Sequence, residues 1–350
     1  MAFPTSRISP FQLLRKRLLI SKLLPSQATC SLRPAFLLPD ILPRTTSFTT
    51  TPFPKSQDQQ PQYTLPPRPR RDLHGKVAII TGAGAPSSDL GNGRATALLL
   101  ASDGASVVCV DKNLSLAQHT VSMISSQTLS SNPSVPPPPP PAAALAIEAD
   151  VTREEDCIRI VGDTINRFGR VDILVNVVGI MGPSGTAVSL EDVEGWDWGM
   201  RVNVTSMMLM VRHVVPAMVR NGGDGDKIKG SIVNIGSVAG LRGGSPSLLY
   251  PASKGAVVNM TRAMAAHHGK EGVRVNCVCP GMLYTPMMYA AGMTDEMREA
   301  RRKRSLLQTE GNAWDCASAV RFLAGDEARW ITGAVLTVDA GATAAVSLSS

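Results

Sequence analysis

Short, almost uninterrupted apolar runs alternate with stretches of helical period, and this alternation constrains the fold more than any other feature of the chain. Lys76-Val-Ala-Ile-Ile80, Ala105 to Val110, Ala143 to Glu148, Val171 to Val175, Ser231 to Ile235, Val273 to Val278 and Val335 to Val338 are apolar or β-branched nearly throughout. Strands of that kind have no polar face to turn to water, so they belong in a parallel sheet buried on both sides. The intervening stretches carry broad apolar stripes, as in Arg94 to Ser102, and the longest runs from about Glu194 to Arg220. The expected architecture is α/β: a doubly wound parallel β-sheet of about seven strands with helices on both faces. Charged residues are only 18 % of the chain against 43 % hydrophobic, enough apolar matter for a large core.

The net charge of +7 reads as a mark of a polyanion-binding protein until it is located. Residues 1–71 hold 11 Lys/Arg against Asp40 and Asp58, while residues 72–350 hold 24 Lys/Arg against 26 Asp/Glu. The body is therefore nearly neutral, which argues against a nucleic-acid partner. Six cysteines in 350 residues are too few for a disulfide framework. Cys277 and Cys279 lie in an apolar run with no second Cys/His pair at metal spacing, so they read as buried strand residues and no metal site is expected. No stretch of 18 apolar residues occurs, which argues against a transmembrane span.

The first 71 residues read as a presequence and linker. Arg7, Arg15, Lys16, Arg17, Lys22 and Arg33 are interleaved with leucines, and no acidic residue precedes Asp40. That basic, acid-poor, amphipathic composition is the mark of a mitochondrial transit peptide, so the matrix is the expected destination, and the cytoplasm if the segment is not an import signal. From Thr45 to Arg71 the chain is rich in Thr, Pro and Gln, a linker composition. Domain boundaries are expected at 1–71 and 72–350. Six consecutive prolines, Pro136 to Pro141, interrupt the body; lacking N–H donors for a ladder, they are expected to form a surface insertion over 133–141.

Two clusters carry chemistry. Thr81-Gly82 follows the first strand, and Gly91-Asn-Gly93 opens the first helix. Glycines there allow a tight turn and let backbone N–H groups approach a pyrophosphate at the positive end of a helix. Asp111 closes the second strand, where a carboxylate can accept ribose hydroxyls and repel a 2′-phosphate. It equally suits the start of a turn. In Tyr250-Pro-Ala-Ser-Lys254, positions i and i+4 share a helix face, placing an ammonium beside a phenol whose ordinary pKa is near 10. The cation is expected to lower that pKa. Ser237, thirteen residues upstream and just past a strand, supplies a hydroxyl that can polarise a carbonyl while the Tyr transfers a proton.

With these motifs together, residues 73–342 resemble a short-chain dehydrogenase/reductase of the type with one nucleotide-binding domain, that is, a Rossmann fold. The matching elements are Thr81-Gly82 and Gly91-x-Gly93, Asp111, Asp150-Val151, Asn176-Val-Val-Gly179, Asn203, Ser237, Tyr250/Lys254, Pro280-Gly281 with Thr285, and Ile331-Thr-Gly with Val338-Asp-Ala-Gly341. The resemblance implies Tyr250 as general acid/base and Lys254 as the group that lowers its pKa and holds the nicotinamide ribose. It implies Ser237 as the binder of the substrate oxygen and Asn203 as the holder of a proton-relay water. Asp150 and Val151 would flank the adenine, Asn176 to Gly179 would support the strand end, and Pro280, Gly281 and Thr285 would shape the nicotinamide pocket.

The chain departs from the family pattern in two places. Eight residues separate Gly82 from Gly91 where the family has three, and Val177-Val178 replaces Asn-Ala. The implied activity is interconversion of a secondary alcohol and a ketone by hydride transfer with NAD, which Asp111 favours, or with NADP, which Lys112 could admit. Met282, Met287, Met288, Met293 and Met297 follow Pro280 and suggest a polarisable apolar lid over an uncharged, hydrophobic small-molecule substrate. One alternative is a 3-oxoacyl-carrier-protein reductase using NADPH, its carrier drawn to Arg298, Arg301, Arg302, Lys303 and Arg304. Another is a non-catalytic binding or scaffold protein on the same fold. The family resemblance implies a homotetramer or homodimer.

Overall fold

The computed structural model describes Leu65 and residues 68–345, apart from 87, 130–142, 191, 223–227 and 291. The expected presequence and the polyproline insertion lie outside the described residues. Within them the chain runs β1 (Val77–Thr81), α1 (Asn92–Ser102), β2 (Ser106–Asp111), α2 (Leu114–Leu129), β3 (Ala144–Glu148), α3 (Glu154–Phe168), β4 (Ile173–Asn176), α4 (Val193–Met200), α5 (Ser206–Val219), β5 (Gly230–Ile235), α6 (Leu249–His268), β6 (Val273–Pro280), α7 (Pro286–Tyr289), α8 (Asp295–Arg302), α9 (Ala313–Ala324) and β7 (Val335–Val338). The seven strands form one sheet in the order β3-β2-β1-β4-β5-β6-β7, every pair parallel.

The two faces of the sheet explain why the strands read as continuous apolar runs. Side chains alternate across a strand, so neighbours enter opposite cores. Ala78 and Ile80 join Val107, Cys109, Ile173 and Val175 under α1, α2 and α9. Ile79 joins Val108, Val110 and Leu174 against α3, α5 and α6. The strand order reverses between β1 and β4, and a crevice opens there beyond the strand carboxyl ends.

The long apolar stretch folds as α4, a π-helical turn (Arg201–Thr205) and α5 in unbroken succession. Val193–Val219 is long and apolar enough to cross a membrane by length and composition, and 61 % of its most apolar window is buried. Its apolar residues pack instead on the sheet, with Leu209, Met210, Val214 and Met218 in the core against α3 and α6.

The extra residues after Gly82 are held by Arg94, which sits in the apolar stripe of α1 and is fully buried. Its guanidinium donates to Thr120 Oγ1 (3.0 Å), to the Asp89 carbonyl (2.7 Å) and to the Ala85 carbonyl (2.7 Å). Thr120 in turn donates to the Ala83 carbonyl. The insertion therefore closes on itself over α2, with both of its ends tied to one side chain. Arg94→Ala would leave buried carbonyls without their donor. Urea unfolding is expected to show a loss of about 3 kcal/mol with an unchanged slope; a loss below about 0.5 kcal/mol, the range of an ordinary surface substitution, would contradict this role.

Candidate active site

A cavity of about 380 Å³ runs along the strand carboxyl ends. Its floor is the Gly-rich turn, where Gly82, Gly84 and Gly93 each have a specific steric reason. A Cβ on Gly93 would lie 1.9 Å from the Gly82 carbonyl oxygen, and one on Gly84 would lie 2.6 Å from Asp111 Oδ2. Gly82 has φ of +70° and packs against Val178, which takes the space facing a Cβ at 3.2 Å. The Val177-Val178 departure thus wedges the turn: Val178 backs Gly82, and the Val177 N–H donates to Thr81 Oγ1 at 3.2 Å.

Asp111 serves as both a turn residue and a cavity wall. Its Oδ1 accepts from Asn113 N and its Oδ2 from Gly84 N, each at 3.0 Å, and it lines the cavity with Lys112. Further along, Asp150, Val151 and Thr152 form the same wall, with Asp150 Oδ1 accepting from both the N–H and the hydroxyl of Thr152. The cradle closed to any Cβ, the open end of α1 and the carboxylate at the end of β2 together fit a nicotinamide dinucleotide.

At the other end Ser237, Tyr250 and Lys254 converge on the cavity. Ser237 caps a 3-10 turn (Val238–Gly240), accepting from Ala239 N at 3.1 Å, and is 8 % exposed. Gly240 lets that turn press on α6: a Cβ there would meet the Lys254 carbonyl carbon at 2.4 Å. The Lys254 ammonium is buried, donates to the Ile235 carbonyl at 2.9 Å and lies 5.8 Å from the Tyr250 ring centre.

The electrostatics correct the expectation that the cation depresses the phenol. Burial pushes the Tyr250 pKa up from its ordinary value, and a hydrogen bond with Ser237 works against that rise without overcoming it. Burial also drives the Lys254 pKa down to about 8, because Ile235 offers a carbonyl dipole and not an anion.

Three expected site residues do not line the cavity. Asn203 is fully buried in the π-helical turn, where Oδ1 accepts from Ile180 N (2.8 Å) and Nδ2 donates to the Ile180 carbonyl and Ser253 Oγ (2.9 Å each). With both amide hydrogens committed, it clamps the segment after Gly179 to α6. Asn176 is also buried, donating to Asn234 Oδ1 at 2.9 Å across β4 and β5. Gly91 caps α1 from behind the cradle. Gly82, Gly93, Asp111, Asp150, Val151, Gly179, Pro280, Gly281 and Thr285 all border the cavity.

The methionine lid is smaller than expected. Met287 and Met288 line the cavity, Met282 borders a separate pocket, and Met297 is half exposed on α8. Three residues missed by the sequence reading also line the cavity, Ile180, Trp198 and Val202, together with Leu283 of the segment after Gly281. The spacing of Trp198 on its helix signals only an amphipathic face, so nothing local marks it out.

Because Lys254 has a lowered pKa in the fold, the unfolded chain binds more protons between about pH 8 and 10.5, and stability rises with pH across that window. Below pH 8 the buried ammonium is a net cost. Lys254→Met is therefore expected to raise the Tm of the ligand-free protein at pH 7, with the advantage shrinking as pH approaches 10; a constant difference from pH 7 to 10 would refute the buried charge as its cause.

Comparison with known proteins supports what the geometry indicates. A family model described as Enoyl-(Acyl carrier protein) reductase matches residues 87–343. The 2-(R)-hydroxypropyl-CoM dehydrogenase of Xanthobacter autotrophicus is 35 % identical over 77 % of this chain and 99 % of its own length. The meso-2,3-butanediol dehydrogenase of Serratia marcescens is 34 % identical over 77 % of this chain and 95 % of its own. A solved 7α-hydroxysteroid dehydrogenase, in complex with NADH and 7-oxo glycochenodeoxycholic acid, superposes with a TM-score of 0.68 at 31 % identity, covering 79 % of this chain and 98 % of that one. The chain belongs to the short-chain dehydrogenase/reductase family and is a nicotinamide-dependent oxidoreductase that interconverts a secondary alcohol and a ketone.

Proposed function

We propose that the enzyme oxidises or forms an uncharged, apolar secondary alcohol, with NAD as its preferred cofactor and Tyr250 as general acid/base. The observation that carries this reading is the division of charge within the cavity. Asp111, Lys112 and Asp150 line the cavity with the Gly-rich turn, whereas Ser237 and Tyr250 share it with Ile180, Trp198, Leu283, Met287 and Met288, and the cation beside them, Lys254, is buried and committed to the Ile235 carbonyl. An anionic substrate would meet no guanidinium there. Relatives whose names specify a small diol and a steroid show that one scaffold admits alcohols of very different size.

In this reading Ser237 hydrogen-bonds the substrate oxygen. Tyr250 removes the hydroxyl proton during oxidation and returns it during reduction. Lys254 holds ribose hydroxyls, and Asn203 fixes the backbone beneath them. A nicotinamide held in this cavity would supply the hydride acceptor for oxidation and the hydride donor for reduction. Asp111 favours NAD because a 2′-phosphate would face its carboxylate.

The basic run that the carrier-protein reading invokes is engaged in part within the molecule. Arg298 is paired bidentately with Glu310 and stacked 4.1 Å over Tyr284, Arg302 and Lys303 pair with Glu299, and Arg301 donates to the Leu283 carbonyl. We also infer a mitochondrial destination from the basic, acid-poor first 71 residues, and a homo-oligomeric state from family membership.

Tyr250→Phe is expected to lower kcat by a factor of roughly 10²–10⁴ while NADH affinity stays within about threefold. Stopped or steady-state turnover with a panel of apolar ketones, together with NADH fluorescence titration, measures both; undiminished turnover would remove Tyr250 from its role. In a separate measurement, isolated mitochondria are expected to import the full chain and shorten it, whereas a chain beginning at residue 72 should stay outside. Equal behaviour of the two would refute the import reading.

A further inference from the structure

Asn92 is the first residue of α1 and lines the cavity between the Gly-rich turn and the lid helix α7. Its two chain neighbours are glycines, and the next residue, Arg94, turns its guanidinium away into Thr120 and the carbonyls of the inserted loop. The Asn92 amide is therefore the polar side-chain group that this turn of helix presents to the cavity. Its Oδ1 is buried and has no hydrogen-bond partner. Such an acceptor carries the full desolvation penalty unless a donor arrives from outside the protein. Among the described residues the other buried amide oxygen without a partner is that of Asn176, which does not line the cavity and whose amide nitrogen donates to Asn234.

The chemistry of the donor narrows the choice. The N–H groups at the start of α1 call for an acceptor, which a pyrophosphate supplies. A pyrophosphate at neutral pH has no hydrogen to give, so it cannot satisfy Oδ1. In a nicotinamide dinucleotide, hydrogens are available next to the pyrophosphate on the nicotinamide side, from the ribose hydroxyls and from the carboxamide N–H. We propose that Asn92 Oδ1 accepts a hydrogen bond from the nicotinamide half of the dinucleotide, which makes Asn92 a positioning residue for the reacting ring. This rests on the reading of the cavity as the dinucleotide site.

A ladder of ligands tests it in the full chain: ADP, ADP-ribose and NADH, each titrated by calorimetry into wild type and Asn92→Leu. ADP stops at the pyrophosphate, ADP-ribose adds the ribose hydroxyls, and NADH adds the carboxamide. ADP is expected to bind both proteins equally. A loss of roughly tenfold that first appears with ADP-ribose identifies a ribose hydroxyl as the donor, and one that first appears with NADH identifies the carboxamide. Equal binding of all three by the two proteins overturns the proposal. So does a loss already complete with ADP, which would place the amide on the adenosine ribose or the pyrophosphate and not on the nicotinamide half. If wild type binds none of the three, the dinucleotide reading itself fails. Asn92→Ala, read against the same ladder, decides the matter should the leucine variant not fold.

Discussion

The parallel pairing of β1 with β2 on one side and β4 on the other sets the conditions for everything at the active site. Parallel strands end on the same edge, so the residues that terminate them are gathered without any further device. Gly82, Asp111, Val177 and Val178, Ser237 and Pro280-Gly281 are distant in sequence, yet all follow or close a strand and all border one cavity. Reversal of the winding between β1 and β4 keeps a helix from covering that edge. The cavity is thus a consequence of topology, and the side chains that line it differentiate its two ends.

Three buried cations share a pattern that bears on how the site is held. Lys254 donates to the Ile235 carbonyl, Arg94 to the Ala85 and Asp89 carbonyls, and Arg274 to the carbonyls of Ile331, Ala324 and Gly325. In each case main-chain oxygens receive hydrogen bonds, joined at Arg94 by the Thr120 hydroxyl. Carbonyl dipoles accept from these cations without neutralising the charge, and leave Arg274 Nε without a partner; burial lowers the pKa of all three, to about 8 for Lys254 and about 10 for Arg274. The gain is positional: each cation ties irregular backbone, at the end of β5, in the inserted loop and before β7, to a helix or strand of the core. At Lys254 the same arrangement leaves an ammonium that a ligand's hydroxyl groups can recruit.

The inserted loop illustrates how the family pattern is kept while its spacing changes. Gly82 and Gly93 remain in contact because the five additional residues are drawn over α2 by Arg94 and Thr120. Asp89 of this loop acts on Tyr289 of α7, whose phenol is pushed up to about 12 by burial and by that carboxylate. The insertion therefore reaches the lid while leaving the cradle beneath it intact.

What was legible in the sequence is what depends on local pattern or on fixed spacing. Seven apolar runs and their intervening helical periods specified a doubly wound sheet, because side-chain periodicity directly reports which faces are buried. Ser237, Tyr250 and Lys254 were readable because four residues along a helix share a face and a residue just past a strand lies at the sheet edge. The structure alone decided matters set by contacts across the chain. It placed Asn203 and Asn176 in clamps beneath the cavity, reduced five methionines to the two of α7, and brought Trp198 to the substrate end. It also turned the Tyr250 shift upward in the ligand-free fold, since spacing locates a cation but burial of the phenol itself raises the cost of its charged form. Sequence thus determined the reaction's residues by proximity along the chain, and tertiary packing decided their surroundings, because desolvation and side-chain direction are properties of the whole core.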